Sequence, residues 1–201
     1  MSTPLFPENR CSKLDAGTDL WLLTTGFRFM KIDGNFFSFN FRKIMNASHQ
    51  KYMQLALIEA EKAGQMGEVP IGAVLVSEDK EILSSTHNRA INLADPTAHA
   101  EILALREAGL KINNYRLLNT TLYVTVEPCI MCMGAIVHAR ISCVVFGADD
   151  PKWGAAGSLY NFAEDDRLNH RIGIISGVCE EECRGLLQDF FSAKRGKCLK
   201  S

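Results

Sequence analysis

Thr121-Leu122-Tyr123-Val124-Thr125-Val126-Glu127-Pro128-Cys129-Ile130-Met131-Cys132 is the stretch from which the fold can be worked out. Its first six residues are β-branched, aromatic or aliphatic, without a glycine or proline, and read as a strand. Pro128, whose ring presets the backbone for a first helical turn, then introduces a helix expected to run to about Ala139. Cys129 and Cys132 stand i, i+3 on that helix, so both sulfurs leave it on one side and can reach a single metal ion.

Working outward, the pattern alternates between element types. Ser48 is a good N-cap for an amphipathic helix to Met66 in which Tyr52, Leu55, Ala56, Ile58 and Ala63 recur at helical spacing, and Gly67 to Pro70 stops it. Ile71–Val76 and Ile82–Ser85, separated by the turn signal Asp79-Lys80, predict an antiparallel hairpin. Thr97 is the expected cap of a helix ending near Gly109. Val144–Phe146 and Ile172–Ile175 supply two more strands, and a last helix runs from about Glu180 to Lys194 into the basic run Lys194, Arg195, Lys197 and Lys200. A hairpin followed by alternating strands and helices suggests an α/β fold, with a mixed five-stranded sheet covered by helices on both faces.

Residues 1–44 differ from the remainder of the chain, since they hold seven of the eleven Phe. One reading of Phe27–Phe41 is an added hairpin turning at Asp33-Gly34. The favoured reading is an N-terminal extension or over-long start over residues 1–44, with the functional domain at residues 45–201.

Composition narrows the function. With 201 residues, 47% hydrophobic and 22% charged, the chain is expected to bury one core and form one catalytic domain. No run approaches the roughly 20 apolar residues that cross a bilayer, and Asp15 and Asp19 spoil a secretory signal, so a cytoplasmic protein is expected. Seven cysteines in no regular framework suit thiols and metal ligands better than disulfides. A net charge of −1 offers no global attraction to nucleic acid, and any RNA contact must come from local basic residues.

The second motif is His99-Ala100-Glu101. An isolated CxxC is equally a redox pair, half of a structural zinc site or two core thiols, and an isolated histidine is more often a hydrogen-bonded core residue. Cys179 and Cys183, the candidate second thiol pair, read as the apolar face of the last helix, and His138 and His170 as structural or surface residues. Together, however, His99, Cys129 and Cys132 make three ligands for Zn2+ and leave a fourth tetrahedral position open, the mark of a catalytic site. Glu101 is then the carboxylate placed to move protons. A histidine, one residue and a glutamate, followed by Pro-Cys-x-x-Cys, is the signature of zinc deaminases of nucleobases.

Further stretches carry a closer resemblance: Glu68-Val69-Pro70-Ile71-Gly72-Ala73-Val74, His87-Asn88, Asp95-Pro96-Thr97-Ala98-His99-Ala100-Glu101, Asn114-Tyr115-Arg116-Leu117, Val145-Phe146-Gly147-Ala148, Gly154-Ala155-Ala156-Gly157-Ser158-Leu159 and Asn169-His170-Arg171. From about residue 48 to Phe191 the chain resembles the bacterial tRNA-specific adenosine deaminases. The resemblance implies a three-layer α/β/α cytidine deaminase-like fold, a homodimer, one Zn2+ per subunit, and hydrolysis of adenosine to inosine at the wobble position of a tRNA anticodon stem-loop. It implies Glu101 as the catalytic proton carrier, Asn88, Val69 and the backbone near Ala100 at the target base, and Asp150 near the nucleotide sugar. Trp153 departs from the family's pattern, being a bulky ring where a small residue is expected, and bears on substrate preference. A deaminase of a free base or nucleoside, and a zinc-stabilised RNA-binding module without activity, are the rival readings.

Overall fold

The structure, a computed structural model, describes residues 34–198, with side chains for residues 47–195. In chain order the elements are α1 (Gly34–Gln65), β1 (Gly72–Ser77), β2 (Ile82–His87), α2 (Ala90–Leu93), α3 (Ala100–Ile112), β3 (Thr120–Val126), α4 (Ile130–Ala139), β4 (Cys143–Ala148), β5 (Gly173–Ile175) and α5 (Glu180–Cys198).

The strands form one sheet in the order β2-β1-β3-β4-β5. β1 is antiparallel to both β2 and β3, whereas β4 runs parallel to β3 and to β5, so the sheet is mixed as expected. Alternation along the strands sorts their side chains into two cores. Ala73, Leu75, Leu122, Val124, Val144 and Phe146 pack with Ala100, Ala104, Met133 and Ile136 of α3 and α4. Val74, Val76, Tyr123, Cys143 and Val145 pack with Tyr52, Met53, Ala56 and Leu57 of α1 and with Cys183 of α5. The central strands are buried on both faces, which explains their continuous apolar runs. This is the three-layer α/β/α fold.

Several expectations need correction. α1 starts at Gly34, so Ser48 lies inside the helix and does not cap it. No glycine or proline interrupts residues 35–63, and a helix once nucleated propagates through such a run. The hairpin reading fails for residues 34–41, which are helical; residues 27–33 lie outside the described residues, as does Lys200. Leu57 rather than Ile58 faces the core, and Ile58 is exposed. Thr97 does not cap α3: its N–H and hydroxyl both turn back to Asp95 Oδ1 (2.8 and 2.7 Å). The cap position belongs to His99, and the helix continues past Gly109 to Ile112. Cys183 is buried in the core and Cys179 packs against it, as expected for the last helix.

Two close approaches hold the helical layers to the sheet. A Cβ on Gly72 would collide with the Ala56 carbonyl, so α1 lies directly on β1. A Cβ on Gly147 would collide with the Cys183 side chain, which brings α5 equally close to β4.

Candidate metal centre and active site

The two motifs occupy matching places in the fold. His99 is the N-cap of α3 and Cys129 the N-cap of α4, both with extended backbone (φ −74°, ψ 153° and φ −74°, ψ 175°). Helix N-termini concentrate unpaired N–H groups and positive potential, which favours thiolate over thiol. An N-cap residue turns away from the helix axis, so both side chains can meet in the space between the two helix ends. Cys132 follows in the first turn of α4 and is fully buried.

The ligand atoms of His99, Cys129 and Cys132 lie within 4.8 Å of one another. His99 Nδ1 stands 3.8 Å from Cys129 Sγ and 3.5 Å from Cys132 Sγ. Around a tetrahedral zinc with normal bond lengths, nitrogen and sulfur ligands sit about 3.6 Å apart. The separations of His99 from both sulfurs therefore match those around a tetrahedral zinc.

Charge within this group is shared. The Cys129 thiol is pulled down to about 4, first by a hydrogen bond from the Cys132 thiol and then, against burial, by His99. Cys132 is pushed strongly upward by the same hydrogen bond and by burial. The hydrogen bond with Cys129 raises His99. A divalent cation bound here would favour both sulfurs as thiolates.

Glu101 lies in the first turn of α3, buried, with its carboxyl interacting with Cys132 and His99. Burial pushes its carboxyl above the usual range. Its Oε2 is buried with no hydrogen-bond partner. An orphaned carboxylate oxygen is costly unless something else occupies the site, and here it stands beside His99, Cys129 and Cys132, the three residues that could hold a metal ion.

The remaining expected residues frame this group to different degrees. Asn88, buried at the end of β2, accepts the Ala100 N–H at its Oδ1 (2.8 Å), and Thr86 donates to the Ala100 carbonyl (2.8 Å). Both backbone groups of Ala100 are thus engaged by β2 and its end. Asp150 is half-buried; its N–H donates to Glu127 Oε2 (3.1 Å), and its Oδ1 accepts the N–H groups of Lys152 (3.0 Å) and Trp153 (3.2 Å). Val69 is half-buried in the turn before β1, where its carbonyl accepts the Ile71 N–H (2.8 Å), and no hydrogen bond ties it to the metal ligands. His138 is exposed and His170 bonds the Ile141 carbonyl at 2.7 Å, in keeping with surface and structural roles.

Glu127 has a role that its sequence position only hinted at. It is buried between β3 and α4 and accepts the N–H groups of Asp150 (3.1 Å), Ala156 (2.9 Å) and Ser158 (3.0 Å), along with the Ser158 hydroxyl. Gly154 pairs with Cys129, and Ala155 donates to the Pro128 carbonyl (2.9 Å). One carboxylate thereby anchors residues 150–158 against the start of the cysteine helix. An acid directly after an apolar strand was the signal, because burial of a carboxylate there demands several donors. Glu68 works similarly, accepting the N–H groups of Ile91 (3.2 Å) and Asn92 (2.7 Å), and Glu59 bonds His87 Nδ1 (2.7 Å) just before Asn88.

With this geometry in place, similarity to known proteins is decisive. Residues 46–148 match the family model of the cytidine and deoxycytidylate deaminase zinc-binding region. A tRNA-specific adenosine deaminase of Haemophilus influenzae is 50% identical over 153 residues, covering 76% of this chain and 88% of that protein. The chain belongs to the tRNA-specific adenosine deaminase family. Another member, from Bacillus subtilis, is 49% identical over 146 residues, with 73% of this chain and 90% of that one covered. A solved structure described for A-to-I editing by tRNA deaminases at the wobble position superposes with a TM-score of 0.66 at 44% identity, covering 68% of this chain and 99% of that one. A guanine deaminase from Nitrosomonas europaea shares the fold alone (TM-score 0.58, 22% identity, 70% of this chain and 83% of that one). Family membership makes the chain a zinc-dependent hydrolytic deaminase, with His99, Cys129 and Cys132 as the residues that would hold the metal.

Proposed function

We propose that this chain converts adenosine to inosine at the wobble position of a tRNA anticodon, taking up water and releasing ammonia. The observation that carries the proposal is the convergence of His99, Cys129 and Cys132 beside the orphaned Oε2 of Glu101, in a chain half identical to a tRNA-specific adenosine deaminase. Zinc, when bound, supplies the Lewis acidity that makes water a nucleophile near neutral pH. Glu101 moves the protons: its unpartnered oxygen accepts one from water as the water oxygen bonds to C6 of the base. Glu101 then gives that proton to the ring nitrogen beside C6, takes the second proton from the oxygen now bonded to C6, and delivers it to the amine as the C6–N bond breaks, leaving the C6 carbonyl of inosine and free ammonia. Its raised affinity for a proton, caused by burial, suits a group that must hold and then give one back.

Asn88 and Val69 are assigned to the target base and Asp150 to its sugar. Ala100, whose N–H and carbonyl are both engaged, contributes by shaping the wall. The basic end of α5, with Lys194 and Arg195 exposed, is suited to phosphates. An anticodon loop fits such a site because its bases are easily splayed and cost little to extrude.

The active protein is assigned as a cytoplasmic homodimer. A groove of about 970 Å³ between the outer sides of α3 and α4, with apolar lining from Ile102, Leu105, Met131 and Ala135, supports a second copy docking there. Leu110 and Tyr115 at its edge are 84% and 70% exposed, and no described helix is long and apolar enough to cross a membrane. The functional unit is assigned to residues 45–201, with residues 1–44 as an extension, a division supported by the family match beginning at residue 46.

The test is incubation with an anticodon stem-loop bearing adenosine at the wobble position, with and without a chelator. Inosine and ammonia form only without the chelator, and Glu101→Gln retains zinc while losing on the order of 10²- to 10⁴-fold in rate. Turnover of free nucleosides or bases but not of the stem-loop would reassign the substrate. Unchanged turnover by Glu101→Gln would end its catalytic role.

A further inference from the structure

Three observations meet in the loop after β4, at residues 150–160. Its backbone is braced from within: Gly154 donates to the Asp150 carbonyl (2.8 Å), and the Gly154 carbonyl accepts the N–H groups of Leu159 and Tyr160 (both 3.1 Å). The Asp150 carboxylate holds the N–H groups of Lys152 and Trp153, and Glu127 holds those of Asp150, Ala156 and Ser158. The loop is also joined to the metal centre, because Gly154 pairs with the N-cap residue Cys129. Yet this fixed segment turns apolar groups to solvent, with Trp153 65%, Leu159 51% and Tyr160 46% exposed. Large exposed side chains on a backbone held by so many bonds are positioned to meet a partner at little ordering cost.

We infer that Trp153 is a stacking platform for the unpaired nucleobase next to the target nucleotide, a specificity-determining contact that rests on the reading of an anticodon loop as substrate. The target base must reach Glu101, which is buried, whereas Trp153 is exposed and lies one residue before the glycine paired with Cys129. When one nucleotide is drawn into the site, its neighbour remains outside with its face unstacked. An indole meets any base through its face, and with two rotatable bonds it loses little freedom in doing so. A backbone already ordered by Glu127 and Asp150 lowers the cost further. Lys152, exposed beside Trp153, is placed to meet the intervening phosphate. Trp153 thus adds affinity through the neighbour and leaves proton transfer to Glu101.

The experiment uses Trp153 as its own reporter. The chain has two tryptophans, so Trp21→Phe leaves one indole. Titration of this variant with the anticodon stem-loop quenches its fluorescence in step with binding. Trp153→Ala raises the Kd by roughly 5- to 150-fold, the range for loss of one base–aromatic stack, and Trp153→Phe recovers most of it. Stem-loops made abasic at each position flanking the target locate the partner: one of them weakens the protein carrying Trp153 and adds nothing to the loss in Trp153→Ala. Melting temperature and zinc content accompany each variant, and the abasic series on the parent protein needs no substitution at 153.

Unquenched fluorescence, a Kd unchanged in Trp153→Ala, or losses that simply add at every abasic position would overturn the stacking role. So would a Trp153→Ala protein whose weaker binding follows only from a changed oligomeric mass, since the indole would then be covered by a second copy. A protein that neither binds nor deaminates any stem-loop overturns the substrate reading itself. Inosine formation with normal binding by Trp153→Ala overturns the stacking role alone.

Discussion

Asn88 Oδ1 accepts the backbone N–H of Ala100 at 2.8 Å, so the end of β2 caps the helix on which His99 and Glu101 stand. The bonded N–H belongs to the residue between His99 and Glu101, so it holds the backbone that carries both. Asn88→Ala leaves that buried N–H without a partner, a loss of about 1–3 kcal/mol. The expected outcome is a melting temperature lower by roughly 3–10 °C. Asn88→Asp, which keeps an acceptor oxygen, recovers most of the shift in a thermal melt. Equal melting of Asn88→Ala and the parent would show that the cap contributes nothing.

Metal content separates ligand thiols from core thiols. Cys132→Ala abolishes zinc binding because two remaining ligands cannot hold the ion against dialysis. Cys183→Ala, which deletes a buried sulfur packed under Gly147, keeps one zinc per chain while lowering stability by about 1–3 kcal/mol. Elemental analysis together with chemical denaturation checks both, and zinc retained by Cys132→Ala would mean a different ligand set.

The buried carboxylate of Glu68 gives the acid stability a definite sign. Burial pushes its proton affinity up, but the N–H groups of Asn92 and Ile91 outweigh burial and hold it below its ordinary value of 4.5. A depressed carboxylate contributes stability in full above that ordinary value. The contribution is lost as pH falls below 4.5 toward the lower folded value. Denaturation followed from pH 6 to pH 3 should show the parent losing stability more steeply below 4.5 than Glu68→Gln. Parallel curves would remove Glu68 from the acid response.

Gly154 has no room for a side chain. A Cβ there would collide with the Glu127 carboxylate and, at 2.5 Å, with the Asp150 carbonyl. Gly154→Ala is expected to lose about 1–3 kcal/mol of stability through overpacking, with a larger fall in stem-loop deamination because Cys129 is paired to the displaced loop. Single-turnover assays alongside melting curves test this, and full activity in Gly154→Ala would show that the loop is not held as described.

Much of this molecule was legible in order along the chain. The spacing of His99 with Glu101 and of Cys129 with Cys132, the apolar runs of β1, β3 and β4, and a helix after Pro128 all follow from local sterics and from metal-ligand chemistry, although Pro128 precedes the N-cap Cys129 and lies outside the helix. The residues that hold the site in shape were not legible. Ser48 and Thr97 have the chemistry of caps, yet α1 passes through the first, and the second turns back to Asp95. Asn88 caps α3 from twelve residues away, and Glu127 gathers amides from a loop more than twenty residues further on.

Short-range preference thus determined which residues can bind a metal and where strands and helices form, because those properties depend on neighbours within a turn or two. Only the tertiary structure decided which acceptor satisfies which buried N–H. That choice depends on the β2-β1-β3-β4-β5 strand order, which brings distant segments side by side and leaves Glu101 Oε2 buried without a hydrogen-bond partner.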